Sequence, residues 1–164
     1  MPKVPGHVLR TIDYSRPGPI SNAFFCLLRS SGPRYLEDGS EIPLGEISSR
    51  RNRSDKHHVF PRALLRRSGF ESDRANSILN ICYLVARENQ SVGQKAPRKY
   101  LEDVPRSVRV RNQALRSHLL PATMESGLWD ASVKRGFKAF REEREAILKK
   151  AFDKKAGASL FERR

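Results

Sequence analysis

Cysteine is nearly absent from this chain. Cys26 and Cys82 stand alone, without a C-x-x-C pair, which excludes a four-cysteine zinc site and argues against a disulfide framework. Both lie in apolar runs, AFFCLL and LNICYLV, where cysteine is expected to be a small buried hydrophobe. Long hydrophobic runs are missing too: none approaches the roughly 20 residues that span a bilayer, so no membrane association is expected. The stretch MPKVPGHVLRTIDYSRPGP holds no continuous apolar segment, so no signal peptide is expected and a cytoplasmic location follows by default. Acidic residues are in deficit, 18 Asp and Glu against 32 Lys and Arg, a net charge of +14. A surplus of that size repels itself in a compact state and calls for a polyanionic partner. Nucleic acid is the first candidate, because each phosphate neutralised releases counterions.

What is present suits one domain of ordinary size, with 38% apolar residues in 164. Residues 1–19, with Pro2, Pro5, Pro17 and Pro19, read as an extended arm. From Ile20 the apolar residues Ala23, Phe24, Leu27 and Leu28 recur at helical spacing until Gly32-Pro33. A strand is expected over His57–Phe60, a helical turn over Arg62–Arg67, and a short helix capped by Asp73 through Ile78. Asn80–Val85 is rich in β-formers and is the best strand of the chain. Helices are then expected from about Arg87, over Arg98–Asp103, and from Pro105 to near His118. A last long helix spans about Trp129 to Lys155, with Trp129, Val133, Phe137, Phe140, Ile147, Leu148 and Phe152 along one apolar stripe. The expected fold class is α+β: a mostly helical domain around a two-stranded hairpin.

Histidine occurs four times, and two copies are adjacent in Asp55-Lys56-His57-His58-Val59-Phe60-Pro61. One imidazole can ligate a metal while the other serves as a general base at neutral pH. Phosphodiester hydrolysis needs both functions, because water must lose a proton and the charge growing at phosphorus must be neutralised. Alone, an adjacent pair is weak evidence, since such pairs also cap surface strands.

The context strengthens it. DKHHVFP, followed by Asn80 and Asn89 in NICYLVARENQ, resembles the HNH, or ββα-metal, nuclease family. The resemblance implies that His57 is the first metal ligand, His58 the general base and Asn89 a second ligand on the helix. Asn80 then braces the loop between the strands as part of the catalytic set. Asp55 would be a further metal ligand or would support one. A narrower likeness, over roughly residues 20–152, is to the C-terminal HNH domain found behind ParB-like NTPase domains in GmrSD-type restriction and phage-defence proteins. It implies an HNH domain over 20–157 with its ββα core at about 54–101, preceded by the arm at 1–19 and followed by a tail at 158–164. There is no room here for the NTPase domain, so an excised domain or a stand-alone relative is expected.

The resemblance implies a metal-dependent endonuclease of low sequence specificity, cleaving DNA to 5′-phosphate and 3′-hydroxyl ends with Mg²⁺ or Mn²⁺, or alternatively Zn²⁺ or Ni²⁺. An RNA-directed or toxin-type HNH nuclease and an inactive nucleic-acid-binding module are the alternatives. Arg50, Arg51 and Arg53 lead into the histidine strand and are the expected phosphate grips, with Arg87, Lys95, Arg98 and Lys99 around the ligand helix. Each of the latter four is equally well read as solvated surface. His118 is expected to be structural, bonding terminal carbonyls of its helix. Tyr83 and Trp129 are expected in the core rather than as base-stacking platforms, and His7 is given no role. One difficulty is physical: neighbours on a regular strand leave opposite faces, so His57 and His58 should not both face one phosphate.

Overall fold

The computed structural model describes residues 3–43, 45–46, 56–104 and 107–161, the side chains of Lys56, Ala86 and Arg87 excepted. The architecture is α+β. Helix α1 (Pro19–Ser30) is followed by strand β1 (Lys56–His58), helices α2 (Arg62–Arg67) and α3 (Ser72–Ala75), and strand β2 (Ile81–Tyr83). Helices α4 (Ala86–Val92), α5 (Pro97–Glu102), α6 (Val108–Ser117) and α7 (Val133–Ala156) complete it. Proline opens α1 and α5, where its missing N–H belongs to a donor without an intrahelical acceptor anyway. Ser132 caps α7 by accepting from the Arg135 N–H. Gly157 ends it in the left-handed region at φ 63°, a conformation glycine takes without a Cβ clash.

The strands pair antiparallel, with Lys56 opposite Tyr83, His57 opposite Cys82 and His58 opposite Ile81. Two cores flank this ribbon. The first gathers Val59, Phe60, Cys82, Tyr100, Leu101, Leu115, Phe137 and Phe140. The second gathers Leu9, Phe24, Leu27, Leu28, Ile78, Leu79, Ile81 and Leu148. Helix α7 runs past both, with Phe137 and Phe140 in the first core and Leu148 in the second. Midway, Arg144 is fully buried and its Nη2 donates to the Ile81 carbonyl at 2.8 Å. Burial pulls this guanidinium down to about 10, and it stays charged at neutral pH. The apolar stripe expected on this helix is therefore interrupted by a buried cation under β2.

Four expectations change. Residues before α1 are not simply extended: Val8–Arg10 form a 3₁₀ turn that places Leu9 in the second core at 0% exposure. Asn80 closes a 3₁₀ turn over Ile78–Asn80 and precedes the strand, while Trp129 lies in a 3₁₀ turn before α7. Cys26 is exposed and only Cys82 is buried, because α1 turns Phe24, Leu27 and Leu28 inward and leaves Cys26 on its outer side. Among the described residues no helix is long and apolar enough to cross a membrane.

Candidate active site

The site is built on the ribbon and the turn beneath it. Asn80 is fully buried. Its Oδ1 accepts from the Phe60 N–H at 2.8 Å, and its Nδ2 donates to the carbonyls of Phe60 at 3.0 Å and Ala75 at 2.9 Å. Three backbone groups of the connection between β1 and β2 thus find partners in one side chain, and the Val59 N–H adds a bond to the Asn80 carbonyl at 2.8 Å. A group with no exposed surface cannot touch a substrate, so Asn80 positions the connection rather than reacting.

His57 and His58 both lie inside the regular part of β1, so the anticipated difficulty is real: their side chains leave opposite faces. His57 shares the face of Cys82 and is buried at 6% exposure. His58 shares the face of Ile81 and is only half-buried. Its Nε2 lies 3.2 Å from Asn76 Oδ1, and the ring of Tyr14 meets it edge-on at 5.4 Å. Burial lowers the His58 pKa to about 4, with Arg62 and His57 acting in the same direction. The Asn76 hydrogen bond and the Asp13 charge oppose that shift. At neutral pH the ring is neutral and holds a lone pair for a proton.

Asn89 lies on α4, the helix that follows β2, and is half-buried. Its neighbour Glu88 is buried, accepts from the Glu37 N–H at 2.9 Å, and helps push the Cys82 thiol up to about 12, an effect that is chiefly burial. Helix α4 thus brings a carboxylate near Cys82, the cross-strand neighbour of His57. Asp55, Arg50, Arg51 and Arg53 lie outside the described residues, as does the side chain of Arg87.

The other expected phosphate grips are exposed but engaged. Lys95 pairs with Asp103 at 3.0 Å, Arg98 with Glu102 at 2.9 Å and Lys99 with Glu102 at 3.8 Å. Such surface pairs contribute at most about 1 kcal/mol, so a phosphate can displace them. A cavity of about 1060 Å³ opens between α4, α5 and α6, with five carboxylates in its lining (Glu37, Asp38, Glu88, Glu102 and Asp103). That lining repels a phosphodiester backbone, and neither His57, His58 nor Asn80 borders the cavity. His118 is wholly buried, and its ring bonds the Arg34 carbonyl at 2.7 Å rather than the end of its own helix. Trp129 stacks under the Arg111 guanidinium at 4.5 Å and packs against the first core, while Tyr83 faces Phe25.

The sequence reading passed over Asp13, Tyr14, Arg62, Asn76 and Glu88. Arg62 sits close enough to His58 to disfavour its protonation. Asp13, Tyr14 and Asn76 reach the site through contacts distant in sequence, and Glu88 acts on Cys82 only by its charge; no local motif announces them.

No family model matches the chain, and no solved structure does. An uncharacterized protein of Methanocaldococcus jannaschii is 30% identical to it over 50 residues, which are 30% of this chain and 9% of that protein. The aligned segment is therefore a small part of a much longer chain, and it carries no functional argument.

Proposed function

We propose that this chain is a ββα-metal (HNH) phosphodiesterase acting on nucleic acid, with DNA as substrate and low intrinsic sequence specificity. The observation that carries the reading is a single ββα unit. The histidine pair lies on β1, Asn80 ties the connecting backbone to the start of β2, and Asn89 stands on the following helix. The net charge of +14 supplies the attraction for a polyanion. A place in restriction or anti-phage defence, beside a ParB-like NTPase domain, is proposed on the sequence likeness.

The donor chemistry fits a divalent cation. One imidazole nitrogen from His57, an amide oxygen from Asn89 and a carboxylate from Asp55 suit Mg²⁺ or Mn²⁺, and also Zn²⁺ or Ni²⁺. Among the described residues no three His, Cys, Asp or Glu side chains gather closely enough to hold a metal; the proposed set adds the Asn89 amide and Asp55, which lies outside the described residues. Bound there, the cation would neutralise charge on the phosphoryl oxygens. His58, on the other face and more open to solvent, would take the proton in its neutral form, with the attacking water bridging a wide gap between this ring and a metal held at His57. Asn80 keeps the backbone after β1 in place, and surface cations hold the strand by its phosphates.

The test is cleavage of supercoiled plasmid alongside calorimetric metal titration. Chelation should abolish cleavage, and Mg²⁺ or Mn²⁺ should restore it. His58→Ala should lose about 10²- to 10⁴-fold in rate with metal affinity intact, whereas His57→Ala and Asn89→Ala should weaken metal binding. Full cleavage in excess chelator excludes a metal mechanism, and loss of metal binding in His58→Ala alone exchanges the two histidine roles. Parallel RNA digests decide the substrate.

A further inference from the structure

We propose that Asn76, itself oriented by Asp13 of the N-terminal segment, is a positioning residue that fixes the tautomer and ring plane of His58. The inference rests on the reading of His58 as the proton acceptor in phosphodiester hydrolysis.

The N-terminal segment is laid along the turn before β2 by backbone bonds. The Tyr14 N–H donates to the Asn76 carbonyl and the Ile78 N–H to the Ile12 carbonyl, both at 3.0 Å, and Asp13 bridges antiparallel to Ser77. Leu9, wholly buried in the second core, anchors the segment. This docking brings two side chains to the half-buried face of β1. Tyr14 meets the His58 ring edge-to-face at 5.4 Å, and the Asp13 carboxylate sits close enough to the Asn76 amide for that amide to help hold its pKa down. Asp13 is held in turn by the Ser15 N–H at 2.8 Å and the Ser15 hydroxyl at 2.7 Å.

These contacts settle two choices that side-chain geometry normally leaves open. An ionised carboxylate only accepts, so the Asn76 group facing Asp13 must be the NH₂. Its oxygen therefore faces His58, 3.2 Å from Nε2. An amide oxygen only accepts, so Nε2 must carry the proton and Nδ1 is left with the lone pair. The chain carboxylate, amide, imidazole thus selects one tautomer, and the negative end of the chain strengthens Asn76 Oδ1 as an acceptor. A neutral imidazole in the other tautomer would turn two acceptors toward each other at this contact. Sequence assigned residues 1–19 to an arm without chemistry; the fold gives that segment the outermost member of this chain.

The experiment combines steady-state cleavage of a short duplex with ¹⁵N NMR of the imidazoles in the full-length protein. His58 should show a pyrrole-type Nε2 and a pyridine-type Nδ1 as a single species. Asn76→Ala should lower kcat by about 10- to 100-fold with KM little changed and the His58 resonances averaged between tautomers. Asp13→Asn keeps an acceptor for Ser15 while freeing the Asn76 amide to turn over, so it should give the same signature at smaller amplitude in a protein that folds. Native His58 protonated at Nδ1 would overturn the proposal. So would wild-type kcat in both variants beside an inactive His58→Ala, which would leave the nuclease reading standing. Wild-type cleavage by His58→Ala would remove the base assignment and this inference with it.

Discussion

Replacing Asn80 with Ala should be among the most damaging single changes in this protein, and its cost can be worked from the structure. The side chain is wholly buried and makes three hydrogen bonds to backbone groups of Phe60 and Ala75. Alanine leaves one N–H and two C=O groups without that partner, in a region closed to water. An unsatisfied buried polar group costs about 1–3 kcal/mol, less where local shifts find a substitute. Taking the low end for each, the expected loss is about 3 kcal/mol, a large share of a typical stability of about 5–15 kcal/mol. Asn80→Asp is the sharper probe. It keeps the acceptor for the Phe60 N–H but sets a carboxylate against two carbonyl oxygens, which raises its folded-state pKa. Its proton is then bound more tightly folded than unfolded, so stability is retained below the unfolded-state value near 4 and lost as pH rises through the folded-state value. Urea denaturation followed by circular dichroism at pH 4 and 7 measures both variants. A loss under about 1 kcal/mol for Asn80→Ala, or an Asp variant whose stability deficit against the unmutated protein is no larger at pH 7 than at pH 4, would refute the claim that this side chain holds the connection together.

Two further outcomes follow from burial and charge. His118 is buried as a neutral ring with its pKa lowered to about 4 by that burial, so stability present above pH 6.5 should drain away as pH falls toward 4. That loss amounts to about 3 kcal/mol at most, and His118→Gln, which keeps a donor for the Arg34 carbonyl, should flatten the stability–pH slope across the window; an unchanged slope would place the titration elsewhere. Replacing Arg50, Arg51 and Arg53 with Ala in a His58→Ala background should weaken duplex binding alike on unrelated sequences and flatten the log–log salt slope by roughly two to three units. Fluorescence anisotropy reads it, and an unchanged slope would move the basic footprint to the long C-terminal helix.

The sequence by itself determined the charge, the order of elements and the ribbon. Periodicity located α1 and α7 to within a few residues, Pro97 marked the start of α5, and residues that favour extended backbone marked β2. These features are local: they depend on spacing along the chain and on backbone restrictions that act within a turn. It also singled out Asn80 as a brace, through the family resemblance. Only the tertiary structure decided which way the two histidines face, because a one-residue change of register exchanges the faces of every side chain on a strand. It alone placed Arg144 beneath Ile81, Glu88 near Cys82, and Asp13, Tyr14 and Asn76 around His58. Each of these joins residues that no local pattern couples, a polar contact whose energy depends on burial, and burial is a property of the packed chain rather than of any segment of it.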